Sequence, residues 1–578
     1  MTLLRKREDQ VRITERYDVD AVIVGAGFSG MYMLHKLRAL GLSTIVFERG
    51  AGVGGTWYWN RYPGARCDIE SADYSYSFSD ELQQEWRWSE RYATQPEILR
   101  YVNHVADRFD LRRDIRFNTQ VTHASYDESA GAWDVLTDRG ECVRARFFIL
   151  ATGCLSVANL PDIRGCDAYD GDVYHTGDWP HQAVDFSGKR VAVIGTGSSA
   201  IQSIPLIAER ADHVFVLQRT PNFSVPARNA PITDAQDDEI KKGYVKRRQT
   251  ARYNSGGVNR IDSTVGALDV SADAREREYE RKWREGGLNF ASTFADLRVD
   301  EAANETAADF IRRKIRETVR DSKMAETLVP TGYPFAAKRP CVDTNYYETF
   351  NRDNVTLVDL RRTPIAEITA LGVQAGDTHY DVDAIVFATG FDAMTGAIHA
   401  IDIRGRDGKQ LRDHWMAGPR TYLGLMSAGF PNLFIVASVG SPSVLSNMMT
   451  SIEQHVDWIS TCIGRVRAEN IGTIEAAPAA EQVWVEHVNA LAASTLFPRG
   501  TSWYMGANIP GKPRIFMPYA GGVGRYRKLC EKIEEFGYPG FLLDQRDCES
   551  INGVTRSTTM SVESIIEASA PFDTAVSE

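Results

Sequence analysis

Short apolar runs punctuated by glycine recur along the chain: residues 21–24, 44–47, 147–150, 191–194, 214–217 and 384–387 each carry four uncharged, mostly apolar or β-branched positions. Runs of that length without polar alternation predict buried strands of the kind found in parallel sheets. The first and fourth end on related glycine patterns, Gly25-Ala26-Gly27-Phe28-Ser29-Gly30 and Gly195-Thr196-Gly197-Ser198-Ser199-Ala200, and a helical pattern through Leu34, Leu37 and Leu40 comes after the first. The third and sixth end on Ala151-Thr152-Gly153 and Ala388-Thr389-Gly390. Glycine permits a tight bend there, so these segments read as chain crossings between two domains, an ordinary strand end being the alternative. Between 226 and 335 the period changes. Ala307, Ile311, Ile315 and Val319 recur every four residues, and 273–284 is dense in alternating charge, as on a solvent-facing helix. The last 33 or so residues, with Ser557-Thr558-Thr559 and few large apolar side chains, predict a mobile tail.

The two glycine patterns carry a specific chemistry. A strand that turns into a helix at G-x-G-x-x-G/A presents backbone N–H groups and a helix N-terminus to a pyrophosphate, where side chains would obstruct. The residue at the end of the next strand separates two nucleotides. Twenty-three positions after Gly25 comes Glu48, an acid suited to a ribose diol, which predicts FAD; the same count from Gly195 reaches Gln218, with Arg219 and Thr220 directly after it. No carboxylate would repel a 2'-phosphate there, so the second site predicts NADPH, with Arg219 as phosphate partner. A surface arginine ending a strand is the plain alternative. The fold class expected is α/β, with two Rossmann-like dinucleotide-binding domains and a helical insertion. Residues 1–153 and 389–545 form the FAD domain, 154–225 and 336–388 the NADP domain, 226–335 the insertion and 546–578 the tail.

Composition narrows the class without naming it. The 578 residues are 43% hydrophobic and 25% charged, ordinary for a large globular enzyme. A net charge of -11 argues against nucleic acid as a partner, and the basic stretch from Lys241 to Arg248 reads as a solvated helix face. The charged N-terminus, Met1 to Arg7, lacks the apolar core of a signal peptide, and no apolar run approaches membrane-spanning length. A cytoplasmic protein without membrane contact is therefore expected, as monomer or weak homo-oligomer. Eight cysteines form no C-x-x-C and no metal-ligand spacing, which excludes a metal site of that kind and counts against a flavin disulfide reductase.

The segment from Tyr169 to Pro180 resembles the Baeyer-Villiger monooxygenases, whose signature F-x-G-x-x-x-H-T-x-x-W-P lies between two dinucleotide motifs; Tyr169, Gly171, His175, Thr176, Trp179 and Pro180 match it, with tyrosine for phenylalanine. The stretch from Gly54 to Asp68 is similar to the same family, and the likeness covers about residues 15–543. It implies that Gly55, Thr56, Trp57, Asp68 and Tyr74 join Gly25, Gly27, Phe28, Ser29, Gly30 and Glu48 at the flavin, and that Gly195, Thr196, Gly197, Ser198, Ser199, Arg219 and Thr220 hold NADP. Lys338 is implied to contact the 2'-phosphate, and Arg339 to reach over the flavin with Asp68 holding it. His175 would be a structural hinge rather than a proton carrier, and Trp503 a lid over the bound nicotinamide nucleotide, a core tryptophan being the alternative. The loop from Ser441 to Met448 resembles that of the phenylacetone and steroid monooxygenase branch, with Ser443, Val444 and Leu445 as substrate-pocket residues.

The resemblance implies an NADPH- and O2-dependent conversion of ketones, cyclic, aryl or polycyclic, to esters or lactones through a flavin C4a-peroxide. An arginine suits that chemistry, because a guanidinium stabilises an anionic oxygen without protonating it. Two alternatives stay open: a relative that oxygenates nitrogen or sulfur, and a redox-sensing protein that binds both nucleotides without turnover.

Overall fold

A computed structural model describes residues 16–545 and 561–568. In the first sheet, Cys142–Leu150, Arg16–Val24, Thr44–Phe47 and Ile115–Arg116 run parallel in that spatial order. The N-terminal half of Cys142–Leu150 also pairs antiparallel with Ala132–Thr137, which pairs with Val121–Asp127. Its C-terminal half takes Leu433–Ile435 as a parallel neighbour, and Asp402–Arg404 adds to the far edge. The chain thus returns after residue 389 to the sheet it began. The apolar runs lie at the centre of this sheet: Ala21, Val22, Ile23, Phe147, Phe148, Ile149 and Leu150 have no exposed surface.

The second sheet is wholly parallel, in the order Val355–Asp359, His213–Gln218, Arg190–Ile194, Ala384–Phe387, Asp172–His175. A three-stranded antiparallel ribbon, Ile365–Thr369, Gly372–Ala375 and Thr378–Asp381, packs on it through Ile368, Val373 and Ala375. The fold is therefore α/β with two Rossmann-like units, and a helical segment interrupts the second.

That segment contains Asp234–Tyr253, Ala272–Glu285, Glu301–Thr318 and Ser322–Leu328. Their starts are set locally. Thr233 forms a capping box with Gln236, and Ser271, Asp300 and Asp321 each accept a hydrogen bond from a backbone N–H in the first turn. Ala307, Ile311 and Ile315 line the buried stripe of Glu301–Thr318, whereas Ala272–Glu285 fully buries only Tyr279, packs Trp283 beside it and carries surface ion pairs such as those of Arg281 with Glu278 and Glu285.

Two expectations need correction. The basic stretch on Asp234–Tyr253 is only partly solvated: Lys242 and Lys246 are exposed, but Arg247 pairs with Glu70 and Asp73, and Arg248 donates to Gln83 and Ser75. These arginines fasten the insertion to the first domain, because a guanidinium satisfies several acceptors in a fixed fork. Within the segment expected to be a mobile tail, Ser561 caps a helix, Val562–Glu567, whose Ile565 is fully buried against the first domain's core. The rest of that expectation falls outside the described residues.

Candidate active site

The two glycine turns are near copies. Gly27 and Gly197 cap their helices with φ/ψ of -77/-169 and -82/-174, and neither helix has a side-chain cap. The first-turn N–H groups of both helices are left for a ligand. Gly25 and Gly195 have φ of 104 and 114, and a Cβ on either would meet the carbonyl oxygen of Ala151 or Ala388 at 2.6 or 2.5 Å. Each first glycine thus packs on the Ala-Thr-Gly segment of its own domain, which explains why that tripeptide occurs twice. A Cβ on Gly30 would lie 1.8 Å from the Gly25 oxygen, whereas the second turn accommodates Ala200 at the equivalent place.

Glu48 is buried, accepting from the backbone N–H of Ala26 at 2.8 Å and of Gly50 at 2.7 Å. Gln218 instead donates to the Thr327 carbonyl at 2.8 Å, while Arg219 is exposed. Thr196 donates to the Thr220 carbonyl, Ser199 bonds Thr176 at 3.0 Å, and Ser198 lies 3.4 Å from the Cys341 sulfur.

A cavity of about 1290 Å³ runs between the domains. The second glycine turn from Gly195 to Ser199, with Arg219 and Thr220, lines one end. Thr56, Trp57, Asp68, Tyr74, Lys338, Arg339, Val444 and Trp503 line the rest. A Cβ on Gly197 would meet nothing within 4 Å, so the chain is open there to a ligand. The first turn and Glu48 do not border this cavity; Gly27 packs on Gly55, whose Cα lies 3.5 Å from a Cβ built on Gly27, and Gly55 directly precedes the lining residue Thr56. Phe28 and Ser29 are buried at the start of their helix. Trp57 donates its indole N–H to the Tyr74 hydroxyl at 3.1 Å.

Arg339 is the fixed charge of the site. Its Nε and Nη2 donate to the two Asp68 oxygens at 2.8 Å each, and Nη1 donates to the Val444 carbonyl at 2.9 Å. Burial works against its charge, but the Asp68 carboxylate outweighs that and holds the guanidinium above its usual range. Burial pushes the neighbouring Tyr504 phenol up to about 12, against the pull of Arg339. Lys338 sits 4.3 Å above the Tyr333 ring. Burial and then the nearby Arg219 push its ammonium down to about 8.

A second, smaller pocket of about 120 Å³ shares Asp68, Ile69, Arg339 and Ser446 with the large cavity. Leu445 borders this pocket and Val444 the large cavity, while Ser443 lines neither and is fully buried. Its place in the expected substrate pocket is therefore corrected. Ser443–Leu445 forms a 3₁₀ turn, in which consecutive side chains point about 120° apart.

The signature residues surround the crossing rather than the cavity. His175 accepts from the Gly177 N–H at Nδ1 (2.9 Å), which puts its proton on Nε2, 3.3 Å from the Thr389 hydroxyl. Burial holds it below its ordinary pKa, so the ring is neutral. Tyr169 donates to the Val382 carbonyl at 2.8 Å, a Cβ on Gly171 would strike the Tyr169 ring, and buried Trp179, with Pro180 next to it in the chain, stacks on Tyr174. Tyr504, Arg260 and Arg298 were not found from sequence. Tyr504 stands directly after Trp503 and could have been, whereas the insertion's arginines reach the site only through tertiary packing.

These elements define a flavin- and NADP-dependent oxidoreductase. Residues 22–282 match the family described as pyridine nucleotide-disulphide oxidoreductase, although every described cysteine is a free thiol. The chain is 44% identical over 533 residues to a Baeyer-Villiger monooxygenase of Pseudooceanicola batsensis, covering 91% of this chain and 97% of that one. It is 42% identical over 528 residues to phenazine N-monooxygenase PhzNO1 of Lysobacter antibioticus, covering 91% and 97%. The solved structure of oxidized steroid monooxygenase bound to NADP superposes with a TM-score of 0.88 at 52% identity, over 92% of this chain and 100% of that one. The chain belongs to the Baeyer-Villiger monooxygenases. It uses FAD and NADPH and oxidises ketones to esters or lactones, and one similar structure has been solved in complex with FAD and NADP.

Proposed function

We propose that Arg339, oriented by Asp68, is the group that stabilises negative charge on the ketone oxygen, and that it does so for cyclic, aryl or fused-ring ketones. The residues suit both nucleotides. Two uncapped helix N-termini lie at the ends of glycine turns, and Arg219 and Lys338 face one cavity with no ion-pair partner among the described residues. Glu48 would take the flavin-nucleotide ribose, Arg219 and Lys338 the 2'-phosphate, and the Trp503 face would exclude water from the reacting centre. Bound FAD, once reduced by NADPH, supplies one oxygen atom of O2 for insertion beside the carbonyl. As the carbonyl carbon is attacked its oxygen becomes anionic. Asp68 and Val444 occupy three of the five Arg339 N–H donors and the Tyr504 hydroxyl also lies against the guanidinium, so a remaining terminal N–H would take that oxygen.

The bidentate Arg339–Asp68 pair, standing where the large cavity meets the smaller pocket, carries this reading. Arg339→Ala should retain FAD and slow NADPH oxidation, yet lose ester formation by about 10²–10³-fold. Lactone formation within about threefold of wild type, far less than that loss, would remove Arg339 from the chemistry. The likeness to a phenazine N-monooxygenase gives a second reading, N-oxygenation. A panel holding both ketones and a phenazine, with products identified by mass, separates the two.

A further inference from the structure

The smaller pocket is walled by charge, and almost all of it is paired. Arg339 meets Asp68, Arg247 meets Asp73 and Glu70, Arg91 meets Glu70, and Arg260 donates to Asp262 at 2.9 Å. Arg298 is different. It lines the pocket from the insertion, and among the described residues the one hydrogen bond made by its side chain goes to a neutral acceptor, Ser292 Oγ, at 3.1 Å. Among the described residues no carboxylate forms an ion pair with it. Burial and its neighbour Arg260 press against its charge, and the opposing influence comes from Asp262, which is already paired with Arg260, and from Tyr504, neither within ion-pair distance of it. A partly buried cation with no directly paired carboxylate is costly unless something supplies one. Its backbone is fixed too, because the Arg298 carbonyl accepts from the Leu496 N–H at 2.8 Å, tying the insertion to the chain that leads into Trp503 and Tyr504.

We propose that Arg298 is a specificity-determining residue that binds a carboxylate on the substrate, so that the preferred ketone is an oxo acid with its carbonyl directed to Arg339 and its carboxylate to Arg298. This deepens the ketone-oxidising reading and rests on it. With 5-oxohexanoate, the bond from the carbonyl carbon to the longer chain breaks, and one oxygen atom of O2 becomes bonded to both of those carbons. The other oxygen leaves as water, and NADPH and a proton are consumed to give NADP+. The product is 4-acetoxybutanoate.

The test compares kcat/KM for 5-oxohexanoate and for its neutral methyl ester on the holoenzyme, with cyclohexanone as a third substrate. Wild type should prefer the acid over the ester by about ten- to a hundredfold, the discrimination expected of a charge-assisted hydrogen bond. Arg298→Met should bring that ratio close to one, and Arg298→Lys should restore part of it. Because the readout is a ratio within each variant, a general loss of activity cancels. Calorimetric titration of 5-oxohexanoate into the oxidised holoenzyme should show the same ordering without turnover. A wild type that oxidises cyclohexanone yet treats acid and ester alike overturns the role of Arg298 and leaves the ketone reading standing, as does an Arg298→Met enzyme that keeps the preference. Failure on all three ketones would overturn the ketone reading itself, and this inference with it.

Discussion

Arg219 and Lys338 both line the large cavity, and Arg219 lies near enough to press on the Lys338 charge, an arrangement that an anion would relieve. Lys338 is held near 8 by burial first and by Arg219 second. A 2'-phosphate placed between them adds negative charge and raises that value in the complex. The complex then keeps a proton that the free enzyme has lost, so NADP+ affinity is full below pH 8 and falls as pH rises above it, by at most about tenfold per pH unit for one proton. NAD+ has no such phosphate, and its affinity should stay flat across the same interval. Titrations of both nucleotides from pH 7 to 10 decide the matter; parallel curves would show that Lys338 does not touch the phosphate. Arg219→Ala should weaken NADP+ relative to NAD+ by about ten- to a hundredfold, the value of a charge-assisted contact.

The strand, glycine turn and helix occur twice with nearly the same cap geometry, and this element was legible in sequence because its demands are local: no Cβ at a close approach, and no side chain over a helix N-terminus. The turn Ser443–Leu445 was less legible, since one residue decides each direction. Ser443, at a φ of 24, faces the core, and the next two side chains go to different spaces. Leu445→Ala should therefore widen the smaller pocket and shift the ratio of kcat/KM toward bulkier ketones. An apolar wall discriminates by roughly 1–3 kcal/mol per methylene, so the shift between a small cyclic and a fused-ring ketone should be about tenfold or more. Val444→Ala should change the KM for NADPH more than the ketone range, because Val444 borders the large cavity that Arg219 and Lys338 also line. Equal effects of both substitutions on ketone choice would show that the two spaces act as one.

At the scale of the molecule, the doubled parallel sheets and the inserted helices come from apolar runs and a change of period, whereas the contacts that join the parts do not. Arg247 finds Asp73 and Glu70 at separations of 174 and 177 residues, and no local pattern marks such a partner. The same holds for the segment bearing Trp503. Lys512 donates to Asp392 Oδ1 at 2.6 Å and to the Ala393 carbonyl at 2.7 Å, while Asn508 donates to the Phe391 carbonyl at 2.7 Å. Phe391 packs edge-on to His175, and a Cβ on Gly177 would lie 2.5 Å from its ring. The signature segment, the domain crossing and the Trp503 loop are thus one connected layer beside the cavity. A shift of the second domain would be carried to the indole through these contacts. Replacing Lys512 with methionine removes the anchor while leaving every cavity charge in place. A partly exposed ion pair, with Lys512 11% and Asp392 33% exposed, is worth about 1 kcal/mol, a shift of about fivefold in how often the loop stands closed. NADPH oxidation should continue, but ester formed per NADPH consumed should fall several-fold and hydrogen peroxide should rise to match, because water reaches the reduced site. Measured together under saturating ketone, an unchanged product-to-NADPH ratio would show that the Trp503 segment closes without its hold on the crossing.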